Sequence, residues 1–449
     1  MNPSKMNMEI DSSPTDWLDK FIIFSKKELE LSKKSLDDNA IKSMEDNNYY
    51  EDDDYNYDDD DEDNIYNNND NNDDEDIKNS EAQCKLRMIR MGPLLASQPR
   101  LEPICKDWRN RFLPSCFTTY VFNRNKNDSV NDKANDLEYL INLCGVNLTY
   151  LDVKEYPVSE IMPIINANCP NLEILYSRFK EIMSQDFENV FSNMSHLRQL
   201  SIEWQCENST LPMTLAKSLE QIGGTLKSLH LSCTLKRNDM FSLDSLTSVF
   251  PRLIALNCLD ICGFGLSQLL LQSIGEIKTL VDVKLMSRLP KNHPMFDTKI
   301  NMYPIGNLKN LEKLRVDCDY SMLRDEFLIN LCNNAKKLTH LFIPGTNITD
   351  IGMSAIYDLE ELKELDLGLI YSGPRSKKNE SITDKSTQCL FKQNLTSLDN
   401  SNCANITDES VIKLVETLPN LTFLYINGKK ITREAVKKIY KLVKNSSKK

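Results

Sequence analysis

The chain has 449 residues, 40% of them hydrophobic and 27% charged, with 54 Lys and Arg against 66 Asp and Glu for a formal charge of -12; that length accommodates two or more domains. No apolar run approaches the ~18 residues of a membrane helix, and the opening MNPSKMNMEIDSS lacks a secretory apolar stretch, so the sequence predicts a soluble protein of the cytoplasm or nucleus with no membrane partner. Thirteen cysteines, an odd number with no CxxC pair, exclude a zinc ribbon and predict reduced thiols rather than a disulfide framework.

Residues 1–44 carry Trp17, Leu18, Phe21, Ile22, Phe24 and Leu29, a spacing that predicts a short amphipathic helix over about residues 15–35. Residues 45–80 form an acidic region. Its Glu45 to Asp76 stretch holds 17 carboxylates and no Lys or Arg, and too little apolar surface to offset the entropy of ordering, so disorder is predicted. The rest of the chain is mildly basic, with 54 cationic against 49 acidic residues. Residues 81–112 then bring Leu86, Ile89, Leu94, Leu95, Leu101, Ile104 and Trp108, apolar positions over which a small helical module is predicted.

From residue 113 to 449 the pattern LxxLxL recurs, with units starting at Leu148, Leu172, Leu197, Leu226, Leu253, Leu280, Leu311, Leu338, Leu362, Leu395 and Leu421 and an earlier, weaker unit at Phe117, Tyr120 and Phe122. Such periodicity is an internal repeat. Alternate apolar positions turn one face of a short strand inward, and stretches such as DESVIKLVETL after Thr407 carry apolar residues at helical spacing. Each unit reads as strand, turn, helix. Neither element buries its apolar face alone, so the units are predicted to stack into an α/β solenoid: a curved parallel sheet with helices outside.

The unit from Asn402 to Ile426, with Cys403, Ile406, Thr407, Asp408 and Pro419 in place, resembles the cysteine-containing leucine-rich repeat. NITD at Asn347, SITD at Ser381 and KITR at Lys430 repeat part of it, and Thr or Asp there can cap the helix that follows. Repeats of this kind resemble those of the F-box leucine-rich-repeat proteins. The end of the preceding module, Ile104, Cys105, Lys106, Trp108 and Arg109, is similar to the closing helix of an F-box. The resemblance implies a substrate-recognition subunit of a Skp-cullin-F-box ubiquitin ligase, with a Skp-type adaptor at residues 81–112 and an unidentified protein substrate on the repeats. On the residues alone, two alternatives stay open: the module is a helical cap over the end of the solenoid, and the chain is a repeat scaffold or regulator without a ligase role.

Nothing in the sequence assembles a catalytic centre. The four histidines, His196, His230, His293 and His340, fall at no metal spacing; His230 and His340 take outward strand positions as exposed polar residues. Cys144, Cys169, Cys332 and Cys403 fall at repeat-related slots, where cysteine acts as a small hydrophobe. No phosphate-binding glycine loop is visible, and basic residues are dispersed except in the last repeat and its cap, KKITREAVKKIYKLVKNSSKK. The reading is therefore a protein without enzymatic activity, cofactor, metal or specific nucleic-acid partner.

The position between the second and third apolar slots points out of the sheet once per strand, giving the row Asp152, Tyr176, Ser201, His230, Asn257, Lys284, Arg315, Phe342, Asp366, Asp399 and Tyr425. Lys284 and Arg315 become neighbours, as do Asp366 and Asp399. The cations are predicted to splay toward Asp282 and Asp317 on their own strands, or a partner segment lies across the row and meets Lys284, Lys313, Arg315, Phe342, Asp366 and Asp399. Two longer gaps, Met286 to Met302 and Tyr371 to Glu380, predict inserted loops on one rim.

Overall fold

The computed structural model describes residues 118–122, 130–156, 158–205, 211–234, 241–287, 300–318, 323–344, 347–368, 379–401, 403–425 and 431–446. The amphipathic segment at 15–35, the acidic region, the module at 81–112 and most of the two rim insertions lie outside the described residues.

In chain order the strands are β1 (Thr119–Val121), β2 (Tyr150–Val153), β3 (Ile174–Phe179), β4 (Gln199–Trp204), β5 (Ser228–Cys233), β6 (Cys258–Cys262) and β7 (Asp282–Met286). They continue as β8 (Lys313–Asp317), β9 (His340–Phe342), β10 (Glu364–Asp366), β11 (Asn379–Thr383), β12 (Ser397–Asp399), β13 (Cys403–Asn405) and β14 (Phe423–Tyr425). Twelve of them make one sheet in the order β1 to β10, then β12 and β14, and every neighbouring pair is parallel. The fold is a leucine-rich-repeat solenoid. The described end of the second inserted stretch is a strand, Asn379–Thr383, paired with Cys403–Asn405 in a separate small sheet.

The repeat is legible in the packing. The register row Leu151, Leu175, Leu200, Leu229, Leu259, Val283, Leu314, Leu341, Leu365, Leu398 and Leu424 faces inward, and none of these side chains is more than 4% exposed. Each burial contributes about 1.5–3 kcal/mol of transfer free energy, and in a solenoid that gain is shared with the units on either side. The weak early unit is present as well, with Phe122 buried and Tyr120 opposite Leu151.

One unit is shifted from the predicted register. Leu253 lies in a turn, and the strand unit begins at Leu256, so Asp260 rather than Asn257 occupies the outward row opposite His230 and Lys284. Leu253, Leu256 and Leu259 are all buried, and their spacing of three fits two overlapping versions of the pattern.

The expected helix follows only part of the strands. The helices are α1 (Val130–Cys144), α2 (Ile161–Asn168), α3 (Leu211–Leu219), α4 (Gln268–Gly275), α5 (Asp325–Asn334), α6 (Asp350–Ser354), α7 (Asp384–Gln388), α8 (Asp408–Thr417) and α9 (Arg433–Ser446). After β3 and β5, the described residues of the connections carry tight 3-10 turns instead. Asn189 is left-handed at φ 56° in the first, and Pro251 opens a turn in the second; both interrupt a continuous α-helix. The capping expectation holds at three sites, where Thr349, Thr383 and Thr432 accept the amides of Ile351, Lys385 and Ala435 at 3.1, 3.3 and 3.2 Å. Thr407 makes no such bond to its own helix.

Candidate functional site

Strand alternation lays three outward residues of each longer strand on the open face of the sheet, away from the helices. The middle row, from β2 to β14, reads Asp152, Tyr176, Ser201, His230, Asp260, Lys284, Arg315, Phe342, Asp366, Asp399 and Tyr425. Lys284 and Arg315 are register neighbours, as are Asp366 and Asp399. The six predicted contact residues therefore share one face across β7 to β12, with Lys313 in the adjoining row opposite Asp282 and His340.

Electrostatics divide this face. On the N-terminal side, cations find carboxylates: Arg178 Nε lies 2.8 Å from Glu203 Oε2 and Lys154 Nζ 3.8 Å from Asp152. Asp260 Oδ2 takes both His230 Nδ1 at 3.0 Å and Lys284 Nζ at 3.1 Å. Burial pushes the Asp260 carboxyl up, but His230 and Lys284 together outweigh it and hold the group below its ordinary value. Lys284 thus crosses to the neighbouring strand, contrary to the predicted splay toward Asp282. Register neighbours stand ~4.8 Å apart, whereas residues two along the same strand are nearer 7 Å. The two strand histidines are half-buried and paired rather than exposed, His340 Nε2 lying 3.6 Å from Glu364.

The C-terminal side is different. Arg315 Cζ sits 5.7 Å from the centre of the Phe342 ring, within cation–π range, and its Nε is buried with no hydrogen-bond partner among the described residues. Asp366 accepts the Gly368 amide at 2.8 Å and Asp399 the Ser401 amide at 2.7 Å, closing the turn out of each strand. Burial, then repulsion from Asp399, pushes the Asp366 carboxyl up to about 6. Burial also raises Asp399, against the opposing bonds from Ser401.

The cysteines at repeat-related slots are buried, and desolvation raises the Cys144 thiol to about 11 and those of Cys169 and Cys332 to about 12. Such thiols stay protonated and pack as small apolar groups. Among the described residues, no group of three or more His, Cys, Asp or Glu could hold a metal ion, and no helix is long and apolar enough to cross a membrane.

The adaptor-module residues Leu86, Ile89, Leu94, Leu95, Leu101, Ile104 and Trp108 lie outside the described residues. Two features escaped the sequence reading. The first is Asp260, hidden by the register ambiguity at Leu253. The second is the turn role of Asp366 and Asp399, which Asp followed two residues later by Gly or Ser could have signalled.

No protein-family model matches the chain, and no curated protein matches it. Among solved structures, the chain is similar to the internalin inlF of Listeria monocytogenes, at 16% identity over 74% of this chain and 79% of that one, with a TM-score of 0.44. It is also similar to a chain of the yeast Rad7 and Elc1 complex, at 17% identity over 79% of this chain and 90% of that one, with a TM-score of 0.48.

Proposed function

We propose that this protein is a non-enzymatic recognition subunit that holds a protein partner on the open face of its repeat sheet, through Lys313, Arg315, Phe342, Asp366 and Asp399. The observation that carries the proposal is the contrast along that face. From β2 to β6 the charged side chains Asp152, Arg178, Glu203 and Asp260 are ion-paired, whereas along the middle row of β8 to β12 a cation, an aromatic ring and two carboxylates stand side by side in register with no ion pair among those four. Polar and aromatic groups arranged on a rigid sheet suit the recognition of a protein surface. Lys284 borders the site, its charge already held by Asp260.

The finer reading joins this face to ubiquitin transfer. The similarity of Ile104, Cys105, Lys106 and Trp108 to the closing helix of an F-box supports residues 81–112 as the seat of a Skp-type adaptor within a cullin ligase. The direct test is co-purification of the full-length chain with a Skp-type adaptor, before and after Trp108→Ala and Ile104→Ala. Retention that falls at least tenfold in the variants supports the ligase reading. No retention of the adaptor by the unaltered chain leaves the alternative, a leucine-rich-repeat scaffold without a ligase role.

A further inference from the structure

The C-terminal part of the open face has a charge pattern that its own side chains leave unbalanced. Asp366 and Asp399 are register partners on adjoining strands, and neither has an ion-paired cation among the described residues. The only bonds drawn to their carboxylates there come from the backbone amide of Gly368 and from Ser401. The nearest guanidinium on this row, that of Arg315, stands two strands from Asp366 and rests over the ring of Phe342 on the strand between. Gly368 leaves room for the second carboxylate, since a Cβ there would stand 2.6 Å from Asp399 Oδ2.

Aromatic rings flank the pair on both sides. Phe342 is the register neighbour of Asp366, and Tyr425 that of Asp399. Asp317, Phe342, Pro344, Asp366 and Gly368 line a shallow notch beside the first carboxylate. Two half-buried carboxylates flanked by aromatic side chains attract a cation through charge and offer apolar surface to its stem. A flexible cationic side chain reaching in from above would relieve the repulsion between the two acids. The 17 carboxylates from Glu45 to Asp76, which no Lys or Arg interrupts, favour the same sign of partner.

Resting on the partner-binding face proposed above, we infer that β9, β10, β12 and β14 receive a basic segment of the partner protein, one lysine or arginine of which seats between Asp366 and Asp399 with Phe342 and Tyr425 on either side. The segment lies across the strands, so its neighbouring side chains meet the two aromatic rings. An acidic segment is disfavoured at this end of the face, where it would add to an excess of carboxylates.

The test uses the full-length protein on an array of nonapeptides, randomised except for a central lysine, arginine, norleucine or glutamate. Retention of the lysine and arginine peptides at least tenfold above norleucine is expected, falling as salt is raised. The double variant Asp366→Asn, Asp399→Asn keeps carbonyl acceptors for the Gly368 and Ser401 amides, and should lose that preference while its melting temperature stays equal or rises. Equal retention of lysine and norleucine peptides overturns the inference, as does a preference that survives in the double variant. A fall in its melting temperature by several degrees also overturns it, because the carboxylates would then serve the fold. If the basic preference is absent but peptide capture still drops with Phe342→Ala, the basic seat is wrong and the partner-binding face stands; capture unaffected by any of these substitutions removes both.

Discussion

The carboxylate of Asp384, at the start of α7, accepts the backbone amide and the hydroxyl of Thr407 from the next repeat, each at 2.8 Å. The same two-pronged bond recurs at Asp325 with Thr349, at Asp350 with Thr383 and at Asp408 with Thr432. The Thr-Asp pair thus does more than cap helices. Each Thr ends one turn and each Asp holds the Thr of the following unit, so four rungs lock the C-terminal repeats into a fixed stacking. That rigidity is what keeps β9 to β14, and the side chains they display, in register.

Asp384→Ala removes the acceptor of two donors at once and leaves them half-buried. We expect a loss of about 2 kcal/mol, within the range for unsatisfied polar groups, seen as a lower urea midpoint. An unchanged midpoint would show the rungs to be decorative.

Asp366 should give the protein a measurable pH signature. Its carboxyl is raised in the folded state from 3.8 to about 6, so the folded protein binds this proton more tightly than the unfolded chain does. The resulting stability is fully present below about pH 4 and lost as pH rises through about 6. Other carboxylates titrate in the same range, and the comparison with Asp366→Asn isolates this one. The variant should gain in urea midpoint over the unaltered protein between pH 5 and pH 7.5, and a constant difference would contradict the assignment.

Gly263 holds a left-handed φ of +77°, and a Cβ there would fall 1.9 Å from the carbonyl oxygen of Cys233 on the adjoining strand. Gly263→Ala combines backbone strain with a clash that only strand separation relieves. We expect at least about 2 kcal/mol of destabilisation, read by thermal or urea unfolding. Gly224, with nothing within 4 Å of its Cβ position, is the control and should tolerate alanine.

The repeat architecture was legible in the sequence because its apolar slots recur at a fixed spacing and a solenoid sheet has few ways to bury them. Register was ambiguous only where Leu253, Leu256 and Leu259 offered two phasings. That single ambiguity concealed Asp260, and with it the ion pair that occupies Lys284. The partner of a surface cation depends on which strand lies beside it, information the spacing of one unit does not carry. The replacement of helices by tight turns after β3 and β5 was equally hidden, since Phe187, Val190, Phe191 and Met194 are all buried whichever way the backbone winds.

Partner binding on the open face of the sheet can be read by placing a photoreactive benzoylphenylalanine at Phe342 on that face and, separately, at Ile351 on α6, which is 68% exposed on the helical side. Irradiation of the full-length protein in extract should yield a discrete cross-linked partner from position 342 and none from position 351. Cross-linking from position 351 with none from position 342 would place recognition on the helices and not on the sheet.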